Sequence, residues 1–162
     1  KEHVDVELTG IVRGTLAFLS EKLRVHDITT ALDLPRRATL RGNHDKLQQL
    51  FINLVMNSVD AMPDGGRLGI SIAHPDTDRI EIRVTDSGHG MPPEVASRVF
   101  EPFFTTKSAG RGSGRGLLVA KGIVPDHGGR ISVSSAPGQG TEFTIVFPSG
   151  SDQSDASSKS GA

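Results

Sequence analysis

No cysteine occurs in the 162 residues, which removes disulfide frameworks and thiol catalysis from consideration. A charge surplus is missing too. The 18 basic and 19 acidic side chains leave a formal net charge of -1, so the global field gives no reason to expect nucleic acid or a membrane surface as partner. No leader-like segment and no long apolar run is present; the chain is therefore expected neither to span a membrane nor to be exported, and its expected location is cytoplasmic. GxxxxGK[ST] is absent, no GxGxxG joins a strand to a helix, and HExxH does not occur. The P-loop, dinucleotide and zinc-hydrolase readings lose their main support. With 35% hydrophobic residues the chain suits one ordinary core. Residues 1–148 are expected to form that domain, and 149–162, all small or polar, a disordered tail.

Leu8, Ile11, Val12, Leu16, Leu19 and Leu23 recur at helical spacing and predict one amphipathic helix from about Thr9 to Leu23. Ile28 to Leu34 reads as a short strand, and Pro35 and Gly42 bracket a connector. A second, stronger helix runs from about Asn43 to Met62 and stops at Pro63-Asp64-Gly65-Gly66. Two alternating segments, Leu68-Ile70-Ile72 and Ile80-Ile82-Val84, predict a hairpin turning between His74 and Asp78. A short helix near Glu94 to Phe100 and another from Leu117 to about His127 follow, the latter ended by Gly128-Gly129 and troubled by Pro125. Two closing strands flank the APGQG turn. Helices interleaved with a mostly hairpin-connected sheet indicate an α/β two-layer sandwich, with a mixed sheet covered by helices on one face.

Helical geometry places Asn53, Asn57 and Asp60 within roughly 60° of one another, opposite the apolar Leu47, Leu50, Phe51, Leu54 and Val55. This polar face has two readings, a solvated surface or the wall of a pocket. In the second, Asn57 offers a neutral oxygen to a hydrated magnesium ion that already carries phosphate ligands. Asp86, followed by Gly88 and Gly90, is either a turn or a carboxylate that accepts from an exocyclic amine, with the glycines giving a flat base access to the backbone and Met91 adding apolar contact. Gly110, Gly112, Gly114 and Gly116 alternate just before a helix, next to the basic Lys107, Arg111 and Arg115. They make either a surface loop or a phosphate cradle. Thr141, after Gly140, is a strand residue or a base contact.

In this order, LQQLFINLVMNSVDAM, DSGHGMP, VFEPFFTTK, GRGSGRGL and GQGTEF resemble the N box, first glycine box, F box, second glycine box and final glycine box of the catalytic ATP-binding domain of bacterial sensor histidine kinases. That domain belongs to the superfamily that includes DNA gyrase, mismatch-repair ATPases and the heat-shock chaperone ATPase. The likeness spans about Val4 to Pro148.

It implies a Bergerat-type fold binding ATP and magnesium. Asn57 matches the metal position, Asp86 the adenine amine, Gly88, Gly90 and Met91 the surroundings of the base, and Thr141 the adenine-side threonine. Asp60 shares the nucleotide-facing side of the helix. Lys107, Gly112, Ser113, Gly114, Arg115, Gly116 and Leu117 match the phosphate-facing lid, and Asn53, Asn57 and Lys107 are the implied catalytic set. The family reaction moves the γ-phosphoryl group of ATP to a histidine on a dimerisation domain, and a response regulator then accepts it.

Three departures bear on that reading. Arg115 stands where a leucine or methionine is common, Pro125 occupies a usually nonproline position near the end of the next helix, and Asn53 replaces the glutamate of the water-activating ATPases. A neutral amide is a poor general base, so vigorous hydrolysis is not implied. His44-Asp45 lacks the rest of an acceptor motif. The acceptor domain is expected to precede Lys1, leaving this chain monomeric with little autokinase activity. The alternatives are a nucleotide-binding scaffold and a protein-serine kinase of the same superfamily.

Overall fold

The computed structural model describes residues 3–100 and 115–149. Strand β1 (Val4–Glu7) leads into helices α1 (Leu8–Phe18) and α2 (Ser20–Val25), followed by strands β2 (Ile28–Asp33) and β3 (Thr39–Gly42). Helix α3 (His44–Ala61), strands β4 (Gly66–Asp76) and β5 (Arg79–Asp86) and helix α4 (Pro93–Ala96) come next. Helix α5 (Arg115–Asp126) and strands β6 (Arg130–Ser135) and β7 (Thr141–Pro148) complete the described elements. Five strands form a sheet in the order β2-β4-β5-β7-β6, in which β2 and β4 run parallel and the other pairs antiparallel. This is the expected two-layer α/β sandwich.

Alternation explains the layering. Leu68, Ile70 and Ile72 of β4, Ile80, Ile82 and Val84 of β5, and Phe143, Ile145 and Phe147 of β7 all project to one side and are buried. They form one core with Leu47, Leu50, Phe51, Leu54 and Val55 of α3 and with the apolar stripe of α1. Emptying the Phe51 position is worth roughly 3–5 kcal/mol, the usual scale for Phe→Ala in a core. The opposite face carries charge, with Arg83 bridging Glu81 and Glu142.

Two expectations need correction. The predicted helix from Thr9 to Leu23 breaks at Leu19. The amide of Leu19 still reaches Thr15 O and that of Leu23 reaches Leu19 O, so the apolar spacing runs through the break and does not reveal it. The Thr15 hydroxyl donates back to Ile11 O, a bond that favours bending. Secondly, the connector before Gly42 contains β3, paired antiparallel with the unexpected β1 so that Val6 meets Leu40. Glu7 joins the two regions, because its carboxylate accepts from the amides of Thr9, Gly10 and Ala38.

The hairpin β4–β5 and the closing pair β6–β7 form as expected. Pro125 falls in the last turn of α5, where the Lys121 carbonyl loses the amide it would otherwise accept from, and the helix ends one residue later at Asp126. The helix then closes with Gly129 N–H on Val124 O and Gly128 N–H on Pro125 O, with Gly128 at φ +76°. Ser149, counted in the expected tail, is buried and its amide donates to Asp78 O. Residues 150–162 lie outside those described.

Candidate functional site

The strand period that buries Ile80, Ile82 and Val84 carries on to Asp86, the last residue of β5, and puts its carboxylate on the helix-facing side. Asp86 is 7% exposed. Its Oδ1 accepts from Gly88 N–H at 2.9 Å, while Oδ2 has no hydrogen-bond partner. The buried Ser58 hydroxyl of α3 is also unpartnered. Burial pushes the Asp86 carboxyl above the usual carboxylate range, against the opposing pull of the Gly88 amide and of Ser58 nearby. A buried acceptor left open in this way suits a ligand donor.

Asp86 is held from three sides. Across the ladder it faces Thr141 of β7, which is also buried. On the α3 side, the amide of His89 donates to Ala61 O at the helix end. On the β6–β7 side, Gly138 N–H reaches His89 O and Met91 N–H reaches the Ser135 hydroxyl. Two glycines permit this closeness. Gly90 has φ +72°, and a Cβ there would lie 2.0 Å from Ala136 O; Gly140 has φ +76°, and its Cβ would lie 2.0 Å from Asp86 O. The first demand for glycine at both positions is thus the close approach of the protein's own backbone.

Asn53, Asn57 and Asp60 lie together on α3 at intermediate exposure, neither sealed in the core nor fully solvated. The Asn57 side chain makes no hydrogen bond to a described residue, which leaves its amide oxygen available to a hard cation. Arg115, Gly116 and Leu117 open α5, and Leu117 packs against the core. Lys107, Gly112, Ser113 and Gly114 lie outside the described residues. A cavity of about 280 Å³ at this end of the sheet is lined by Asp86 and Thr141 but also by Thr85, Ser134 and Glu142. Those last three alternate to the outer face, so the cavity opens away from the helix layer, whereas the free Asp86 oxygen and Ser58 belong to the inner side.

Sequence reasoning missed Ser58 and Ser135, and it gave His127 no role. His127 is buried, and with His3 and Asp126 it forms a cluster of potential metal ligands within 4.8 Å. Both of its ring nitrogens are already engaged, Nδ1 with Ile123 O and Nε2 with the amide of Asn43 at the α3 N-cap. It is satisfied, though not at the surface, and ties the end of α5 to the start of α3.

The fold and this arrangement define a two-layer α/β domain with a half-satisfied carboxylate at the sheet end and a polar helix face alongside. The chain belongs to the histidine kinase-, DNA gyrase B- and HSP90-like ATPase family, whose model matches residues 42–151. It is similar to sporulation kinase A of Bacillus subtilis (strain 168), with 44% identity over 109 residues, covering 67% of this chain and 18% of the relative. Sensor histidine kinase ZraS of Salmonella typhimurium is 36% identical over 146 residues, covering 88% and 30% respectively. The chain thus spans less than a third of the length of these relatives. Among solved structures, the catalytic domain of histidine kinase ThkA superposes with a TM-score of 0.83 at 27% identity, covering 94% of this chain and 99% of that one. Full-length ShkA in complex with AMPPNP gives 0.79 at 26% identity, covering 90% and 31%. The chain is an ATP-binding catalytic domain of the histidine kinase type. No helix among the described residues is long and apolar enough to cross a membrane.

Proposed function

We propose that this domain, taken as 1–148, binds magnesium-ATP with its adenine at Asp86 and Thr141, and supplies the γ-phosphoryl group to a histidine on a separate dimerisation domain. The observation that carries the reading is the buried Asp86 carboxylate, one oxygen paired with Gly88 and the other open. An ionised carboxylate only accepts, so it favours the N6 amine of adenine and opposes the carbonyl of guanine. Asn57, free of described partners on the α3 face, would hold the metal together with the phosphates. Magnesium, when bound, offsets phosphate charge. Lys107 and the Gly112–Leu117 segment would close over the triphosphate, with backbone amides as donors.

In the transfer, an imidazole nitrogen of the acceptor domain forms the N–P bond while the bond from the γ-phosphorus to its β-bridging oxygen breaks. ADP leaves, and the ring proton passes to solvent. The domain contributes position and charge. Asn53 is a neutral amide and a poor base for activating water, which favours transfer over hydrolysis. A response regulator then takes the group from the phosphohistidine, as the kinase relationship supports.

Mixing this chain with the dimeric acceptor fragment of its own intact protein and labelled ATP tests the reading. Acid-labile phosphohistidine is expected on the fragment and little label on the chain itself. An unlabelled fragment, or strong labelling of His44, overturns the division of labour.

A further inference from the structure

Ser135, the last residue of β6, stands at a junction that the motifs did not single out. Its hydroxyl accepts from Met91 N–H at 2.9 Å, lies 2.8 Å from Gly140 O and lies 2.9 Å from Thr141 Oγ1. A serine hydroxyl has one proton and two lone pairs. Gly140 O is a carbonyl and can only accept, so the single Ser135 proton goes to it; otherwise two oxygens would meet at 2.8 Å with no hydrogen between them. Met91 N–H fills one lone pair. The remaining contact then requires Thr141 to be the donor, and its proton fills the other.

This accounting has a consequence across the ladder. Thr141 faces Asp86 in register, and with its proton committed to Ser135 its oxygen has only lone pairs left to offer. Oδ2 of Asp86 is likewise an open acceptor. Both side chains at this end of the sheet therefore present acceptors, an edge that matches an amine and opposes a carbonyl.

We infer that Ser135 is a positioning residue for base selection: by taking the Thr141 proton, it holds that threonine as an acceptor and extends the discrimination begun by Asp86. This rests on the placement of adenine at Asp86. Without Ser135, the Thr141 hydroxyl is free to rotate and donate, and a base bearing a carbonyl is no longer opposed there. Met91 and Gly140 lose a shared partner as well, but that loosening acts on any purine alike.

The test compares ATP with inosine triphosphate, which carries a carbonyl in place of the exocyclic amine, by competition against one fluorescent nucleotide. Ser135→Ala is expected to lower the ATP-to-ITP preference by about five- to tenfold, the scale of one hydrogen bond's polarity. Ser135→Thr, which keeps the hydroxyl, should retain the preference. In a Thr141→Val background, Ser135→Ala should change the ratio no further. A folded Ser135→Ala protein that loses both nucleotides by the same factor makes Ser135 a scaffold residue and overturns the inference. If Ser135→Ala does not fold, Thr141→Val alone decides: it must weaken ATP more than ITP, and equal weakening overturns the inference. A parent chain that binds both nucleotides without preference sinks the adenine placement itself, and this inference with it.

Discussion

Two carboxylates each close a strand and each accept backbone N–H bonds, yet they do opposite things. Glu7 closes β1 and takes three amides, those of Thr9, Gly10 and Ala38. Burial tends to raise its carboxyl, but the amides outweigh that and hold it below the ordinary glutamate range. Asp86 closes β5, takes one amide on Oδ1, and is pushed up because burial prevails over that bond. A carboxylate whose lone pairs are answered by the fold is part of the fold, whereas one that is buried and left half-answered is waiting for something else. His127, equally buried, belongs with Glu7, since both its nitrogens are engaged.

The largest effect expected is at the open carboxylate. Asp86→Asn keeps the side-chain shape and an oxygen for Gly88, but can turn a donor toward the base. ATP affinity should fall by roughly 2–5 kcal/mol, the range for breaking a buried charged hydrogen bond, and the ATP-to-GTP preference should collapse. Fold stability moves the other way. Because the folded pKa of Asp86 is raised, the native state holds a proton that the unfolded chain has released, over a window just above the usual carboxylate range. Stability is therefore fullest below that window and falls as pH rises through it. Asp86→Asn should abolish this fall. Competition binding and denaturation across pH measure the two effects; a folded variant with the parental ATP-to-GTP ratio removes Asp86 from base recognition.

Asn57→Ala tests the metal-binding half of the proposed site. The residue is on the polar face of α3, away from the core-facing Leu54 and Val55, so helix content should persist. Magnesium-dependent ATP affinity should drop by roughly 1–3 kcal/mol, the scale of one lost polar partner, with magnesium-free binding little changed. Calorimetry with and without the metal decides this. An unchanged magnesium dependence takes Asn57 out of the metal role.

The contrast between answered and unanswered groups explains what could be read in the sequence. The hydrophobic periods of α3, β4 and β5 depend on local spacing, and they were legible. Asp86 was visible as a residue before two glycines, and its burial follows from the alternation Ile80, Ile82, Val84, although the Asp-Ser-Gly segment alone reads more readily as a turn. What stayed hidden were partners. Ser135 reaches Met91 across 44 positions and His127 reaches Asn43 across 84. No local pattern encodes such meetings. The β1–β3 pair was missed for the same reason, each strand having only four residues and no partner close in sequence. Lys107 and Gly112 to Gly114 lie outside the described residues, so the phosphate end still rests on motif and family.

The smallest effect expected is at the answered carboxylate, and it sharpens the comparison because its sign is opposite. Glu7→Gln leaves a side-chain oxygen for one or two amides but aims an NH₂ group at a third, so part of the α1 cap and of the link to Ala38 is lost. At neutral pH the cost should be about 0.5–2 kcal/mol, the usual range for losing a helix cap, and ATP affinity should not change. The folded pKa of Glu7 lies below its unfolded value. Its contribution is then fully present above the unfolded glutamate pKa and disappears as pH falls through the folded one, where the carboxyl protonates and Thr9, Gly10 and Ala38 lose their charged acceptor. The parent and Glu7→Gln unfolding curves should accordingly converge in acid and separate toward neutral pH, opposite to the Asp86 pair, whose difference develops as pH rises because the parent, not the variant, loses stability. Denaturant titrations of both variants at a series of pH values would display the two trends side by side. A Glu7→Gln difference that is constant with pH would mean that Glu7 acts through packing and not through its charge.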